Sequence, residues 1–132
     1  MLNFNMKKTT RRMKMSKAKY VWAWTDEDDT YINKKDSLEE IIEEIIEHYE
    51  PEAKRLTIEK KDSKFVVHYF SEYVSDWDEM EDMDFGGIEE EQEDGFKIHC
   101  EFEATPWTTA HFLDALARVY EREDKFDISE NN

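Results

Sequence analysis

Residues 36–50, DSLEEIIEEIIEHYE, restrict the fold of this chain more than any other stretch. Their apolar side chains recur every three or four residues, which is the pattern of one face of an α-helix. Ser37 with Glu40 three residues later fits a capping box, and Pro51 prevents the helix from continuing. The sequence therefore predicts a helix over residues 37–49, with an apolar face made of Leu38, Ile41, Ile42, Ile45, Ile46 and Tyr49.

The opposite face of this helix is acidic without interruption. Like charges four residues apart on a helix each cost roughly 0.2–0.5 kcal/mol, so an ordinary solvated helix mixes both signs. One interpretation is that the apolar face holds the helix and the repulsion is tolerated. The other is that the acidic side chains bind a basic partner. We predict the second, with the contact residues Glu39, Glu40, Glu43, Glu44, Glu47 and Glu50.

The net charge of −16 is distributed unevenly along the chain. Residues 1–19 contain seven basic side chains and no acidic one, so the other residues hold 34 acids against 11 bases. A field this negative repels nucleic acids and anionic membranes and attracts basic proteins. We therefore expect a protein partner with a basic cleft, and no direct contact with nucleic acid or membrane.

Length and composition indicate a single domain with its own core. We expect an acidic α+β domain over residues 18–124, preceded by a basic disordered arm or extended start at residues 1–17. Residues 125–132 are polar, and we expect them to be frayed. No apolar run is long enough to span a membrane, and the single cysteine, Cys100, suits a reducing cytoplasm.

The remaining elements follow from alternation and from capping residues. Thr105 and Pro106 fit the N-cap and first position of a second helix. The predicted order is β-α-β-β-β-α, and the simplest closure is an antiparallel four-stranded sheet with two helices packed on one face. Apolar residues in alternating or continuous runs predict the four strands at residues 18–25, 54–60, 65–74 and 96–104.

Residues 76–95 form an acidic-hydrophobic segment that we interpret as a loop. Acidic residues interspersed with large apolar side chains are typical of segments that bind other proteins. Trp77, between two aspartates, is the best candidate for an exposed anchor, whereas we expect Trp22, Trp24 and Trp107 in the core. The predicted contact residues of this segment are Asp76, Trp77, Asp78, Glu79, Asp82, Asp84 and Phe85.

Catalysis has little support in the sequence. The chain has no phosphate-binding glycine loop, nucleophile elbow, zinc-protease motif or paired-cysteine motif. Cys100 follows His99, but neighbouring residues of a strand point to opposite faces, so we expect a thiol in the core rather than a nucleophile. We predict a protein that is not an enzyme and needs no cofactor.

Metal binding is also weakly indicated. Residues 82–93 partly match a calcium loop, although glycine occupies its fifth position; the matching residues are Asp82, Asp84, Gly87 and Glu93. The four histidines have no ligand spacing, although His68 and His99 are placed to lie on neighbouring strands. We predict no metal site.

In size and charge the chain is similar to small acidic inhibitors that imitate DNA, among them anti-restriction, anti-CRISPR and uracil-glycosylase-inhibitor proteins of phages. This resemblance implies a phage-encoded anti-defence protein that occupies the basic nucleic-acid-binding cleft of a host protein in the host cytoplasm. Two alternatives stay open. One is an immunity protein that neutralises a basic nuclease toxin, and the other is a calcium-binding or adaptor protein that uses residues 76–95.

Overall fold

The structure is a computed structural model that describes residues 18–72, 80 and 84–131. Predictions about the arm at residues 1–17 lie outside these residues. The described chain contains two helices and seven strands. They are β1 (Tyr20–Thr25), β2 (Thr30–Lys35), α1 (Leu38–Tyr49), β3 (Lys54–Lys61), β4 (Lys64–Ser71), β5 (Gly86–Gln92), β6 (Gly95–Glu103), α2 (Pro106–Val119) and β7 (Lys125–Glu130).

The strands form two antiparallel sheets. One has the order β2-β1-β7 and the other has the order β3-β4-β6-β5. The helices contact each other, and each contacts both sheets: α1 touches β2 and β3, and α2 touches β6 and β7. The α+β class with two helices is therefore confirmed. In the described part of the chain, neither helix is long and apolar enough to cross a membrane.

The predicted single sheet is wrong because β1 belongs to the three-stranded sheet. Its second partner is β7, whose residues we had expected to be frayed. The two strands pair along their whole length, from Tyr20 opposite Glu130 to Thr25 opposite Lys125. Phe126 is buried on β7. Burial of Phe126 and Ile128 and pairing with β1 order this strand.

The predicted loop over residues 76–95 is also partly wrong. Gly86–Gln92 is strand β5, and it pairs with β6 in a hairpin. Its backbone groups take part in a sheet ladder, which differs from the tight wrapping of a calcium loop around one ion. A register shift between Ile88 and Glu90 marks a β-bulge. This bulge interrupts the alternation of the strand and hides it from a pattern search.

Helix α1 forms as predicted. The Ser37 hydroxyl accepts a hydrogen bond from the Glu40 backbone N–H at 3.3 Å, and the Glu50 N–H donates to the Ile46 carbonyl at 2.8 Å. These bonds satisfy backbone groups at both ends of the helix. The buried residues of α1 are Leu38, Ile41, Ile42, Ile45 and Ile46. The predicted apolar face therefore anchors the helix to the core.

Aromatic rings fill the core between α2 and the four-stranded sheet. Phe112 stacks on Phe102 with ring centroids 4.3 Å apart, and Phe85 meets both rings edge to face. Trp22 is fully buried, as expected. Trp107 is 70% exposed, so its predicted place in the core is wrong. It lies in the first turn of α2, beside Pro106, with its ring centroid 4.0 Å from that of His111.

We expect Gly86→Ala to lower the free energy of unfolding by about 2–3 kcal/mol. Gly86 has φ of 109°, and an added Cβ would lie 2.4 Å from the backbone oxygen of His99. Both the left-handed backbone and the contact with a neighbouring strand disfavour any side chain. Urea denaturation measures the effect. Gln92→Ala on the exposed end of the same strand is the control, and equal midpoints for the two variants would contradict the prediction.

Candidate functional site

The outer surface of α1 carries five glutamates that we call the acidic face: Glu39, Glu40, Glu43, Glu44 and Glu47. Glu39 is half-buried and the others are exposed. Glu44 forms an ion pair with Lys35 of β2 at 3.2 Å. No basic group in the described part of the chain pairs with Glu40, Glu43 or Glu47. The acidic face is thus largely uncompensated.

Glu50, which we predicted in the same row, does not belong to it. Its side chain is only 3% exposed. The Ser71 hydroxyl donates to its Oε2 at 2.7 Å, and the Tyr120 hydroxyl donates to the same oxygen at 2.8 Å. Glu50 follows the last helical residue, where the backbone leaves the helical conformation and the side chain turns inward. This residue has a structural role.

A buried polar cluster surrounds Glu50. The hydroxyls of Tyr69 and Tyr120 lie 3.2 Å apart, and the Tyr49 hydroxyl donates to Asp124 Oδ2 at 2.5 Å. Burial is the main cause that raises the pKa of all three tyrosines, so they remain neutral donors at physiological pH. The cluster ties the end of α1 to β4 and to the end of α2.

The predicted contacts of the acidic-hydrophobic segment divide into three groups. Asp84 is exposed, and its role in binding stays a prediction. Phe85 is buried against Phe102 and Phe112, so it cannot contact a partner, and this prediction is wrong. The others lie outside the described residues: Asp76, Trp77, Asp78, Glu79 and Asp82.

Cys100 is a core thiol, as predicted. It is fully buried on the inner face of β6, whereas His99 lies on the outer face. Burial raises the pKa of the Cys100 thiol to about 12. A thiolate is the nucleophilic form of cysteine, and it is scarce at neutral pH when the pKa is this high.

Two of the four histidines come together on the outer face of the four-stranded sheet. His68 and His99 are direct cross-strand partners on β4 and β6, with ring centroids 4.5 Å apart. Glu89 Oε1 lies 4.0 Å from His99 Nδ1. His48 and His111 instead contact Trp24 and Trp107, respectively. The predicted order of the strands indicated that the two histidines lie close together. Glu89 lies near them because of a β-bulge, which no sequence pattern predicted.

The described residues therefore offer two candidate sites on different elements. One is the acidic face of α1, and the other is the pair of histidines with Glu89. Searches for relatives identify neither, since no protein-family model matches the chain and no curated protein or solved structure matches it at a significant level.

Proposed function

We propose that this protein is a non-enzymatic acidic inhibitor that occupies the basic nucleic-acid-binding cleft of a host protein. The observation that carries this proposal is the acidic face: five glutamates on one helix, of which Glu44 alone forms an ion pair with a described basic residue, Lys35. The protein is then a phage-encoded anti-defence protein of the anti-restriction or anti-CRISPR class, which acts in the host cytoplasm.

The charge spacing of the acidic face supports imitation of a nucleic acid. Glu39 to Glu47 span roughly 12 Å of helix axis, so the five carboxylates follow at roughly one per 3 Å. One strand of duplex DNA carries one phosphate per roughly 3.4 Å of helix axis. A cleft lined by Lys and Arg for phosphates therefore meets a similar density of negative charge on α1.

The packing of α1 supports binding through a preformed surface. Five buried aliphatic side chains hold one side of the helix in the core, and Ser37 caps its first turn. The buried side chains thus keep the helix folded although its neighbouring carboxylates repel one another. A rigid surface loses little conformational entropy when a partner binds. The carboxylates are in place before the encounter, and long-range attraction accelerates association with a basic cleft.

The test replaces Glu40, Glu43 and Glu47 by Gln. The three side chains are exposed and lack ion-pair partners in the described structure, so stability should hold or rise as like-charge repulsion is relieved. The wild-type protein, immobilised, is expected to retain nucleic-acid-binding proteins from a bacterial lysate. Duplex DNA should elute these proteins, and the triple variant should bind the purified partner on the order of 10–100-fold more weakly at low salt.

The matched control replaces Glu103, Glu123 and Glu130 by Gln. These residues are exposed and lie off α1, and the change in net charge is the same. If both variants lose affinity equally, only net charge matters and the proposal of a specific surface is wrong. Retained proteins that DNA does not elute would contradict imitation of DNA. A retained nuclease toxin whose lethality is suppressed by co-expression would favour the immunity-protein alternative.

A further inference from the structure

The outer face of the four-stranded sheet presents a row of residues in register. His68 of β4 lies opposite His99 of β6, and Gly87 of β5 lies opposite His99 on its other side. Directly opposed residues of antiparallel strands share one face, so the two imidazoles stand side by side. Gly87 carries no side chain, and an open cavity of ≈ 390 Å³ lies beside it and His99. Space for an additional group therefore adjoins His99.

The β-bulge in β5 brings a carboxylate to the same place. The register shift between Ile88 and Glu90 leaves Glu89 without a direct partner on β6. Bulges redirect side chains and are enriched beside functional sites. Here Glu89 lies beside His99, and one ligand atom from each of Glu89, His68 and His99 lies within 4.8 Å of the others. Three potential ligands from three strands thus converge.

A second carboxylate orients one of the imidazoles. Glu101 Oε2 lies 2.8 Å from His99 Nε2, on the side of the ring away from the Nδ1 that faces Glu89. In the neutral imidazole, a hydrogen bond from Nε2–H to Glu101 leaves the lone pair of Nδ1 on the side of Glu89. Metal-binding histidines commonly donate their other N–H to a carboxylate, which fixes the tautomer and makes the ligand more basic.

We propose that His68, His99 and Glu89 bind a divalent transition metal ion, specifically zinc. Two imidazoles and one carboxylate suit zinc, whereas calcium and magnesium prefer oxygen ligands. Zinc bonds of roughly 2.0–2.1 Å require ligand atoms about 3.3 Å apart in a tetrahedron, so small side-chain rotations close the site. The cavity that is lined by Glu89 and His99 has room for a water molecule as a fourth ligand.

Calorimetric titration of the full chain with zinc chloride tests this site. We expect one zinc ion per chain with a dissociation constant in the micromolar range or below. His68→Gln and His99→Gln should each weaken binding at least about 30-fold, and Glu101→Gln about 10-fold, as for outer carboxylates of zinc sites. Glu89→Gln should also weaken binding; its side chain is 49% exposed, so this variant keeps its fold. Millimolar calcium or magnesium should not compete.

Two controls separate this site from other zinc-binding groups. His111→Gln removes an imidazole that contacts Trp107, away from the cluster, and should leave zinc affinity unchanged. The triple Gln variant of the acidic face should also retain zinc affinity, which makes the result independent of the proposed inhibitory function. Wild-type binding no tighter than millimolar would overturn the proposal. Equal zinc affinity in the wild type and in folded His68→Gln, His99→Gln and Glu89→Gln would do so as well.

Discussion

Phe112→Ala is expected to lower the free energy of unfolding by about 4 kcal/mol, and the melting temperature by roughly 10–20 °C. Phe112 is completely buried on α2, stacked on Phe102 and in edge contact with Phe85. Removal of its ring leaves a cavity where α2 meets the four-stranded sheet. Such a site has rigid strands on one side and a helix on the other, so it cannot collapse fully. Urea and thermal unfolding followed by circular dichroism measure the loss.

Trp107→Ala is the matched control for this variant. It removes a larger side chain from the same helix, but one that is 70% exposed. We expect a change within about 0.5 kcal/mol, which is usual for surface substitutions. Phe112→Leu should fall between the two because it retains part of the buried volume. Equal destabilisation by Phe112→Ala and Trp107→Ala would show that burial does not determine the effect.

Glu50→Ala is expected to cost about 3 kcal/mol because buried donors lose their acceptor. The hydroxyls of Ser71 and Tyr120 both donate to Glu50 Oε2, in a place with almost no solvent. Alanine supplies no oxygen at this position, so both hydroxyls lose this acceptor. Glu47→Ala, exposed on the same helix, should be close to neutral. The free energy of unfolding in urea distinguishes these outcomes.

Glu50→Gln separates hydrogen bonding from charge. Because both donors share a single oxygen, an amide oxygen in the same position can accept both bonds. We therefore expect this variant to unfold within about 1 kcal/mol of wild type. A loss as large as that of Glu50→Ala would mean that the negative charge, rather than its hydrogen bonds, stabilises this end of α1.

The parts of the fold that were predicted correctly are those with local signals. Helix α1 has a strict apolar period, a capping serine and a following proline, all within residues 36–51. Strand β7 has only two inward residues, Phe126 and Ile128, in a polar context. Its stability comes from pairing with β1, at the other end of the described chain, and no local pattern reports such a partner. Strand β5 was missed because its bulge breaks the alternation.

In the candidate sites, too, residues with a local sequence signal were predicted correctly and residues that depend on distant partners were not. The exposed glutamates of α1 were predictable because helical period alone separates them from the isoleucine face. Glu50 was assigned to the wrong side since charged residues are rarely buried, and its donors Ser71 and Tyr120 come from distant parts of the chain. Trp107 was misassigned by hydrophobicity: the buried face of α2 is formed by other residues, among them Ala110 and Phe112.

The pairing of β1 with β7 affects the order in which the strands of the three-stranded sheet come together during synthesis. During synthesis on a ribosome, Tyr20 emerges long before Glu130, its partner in the sheet. Until then β1 has only β2 beside it, and an isolated two-stranded hairpin is marginally stable in water. Trp22 in the meantime lacks Ile128, the residue opposite it on β7. The three-stranded sheet therefore closes only after residues 125–130 have been made, later than the β1-β2 hairpin can form.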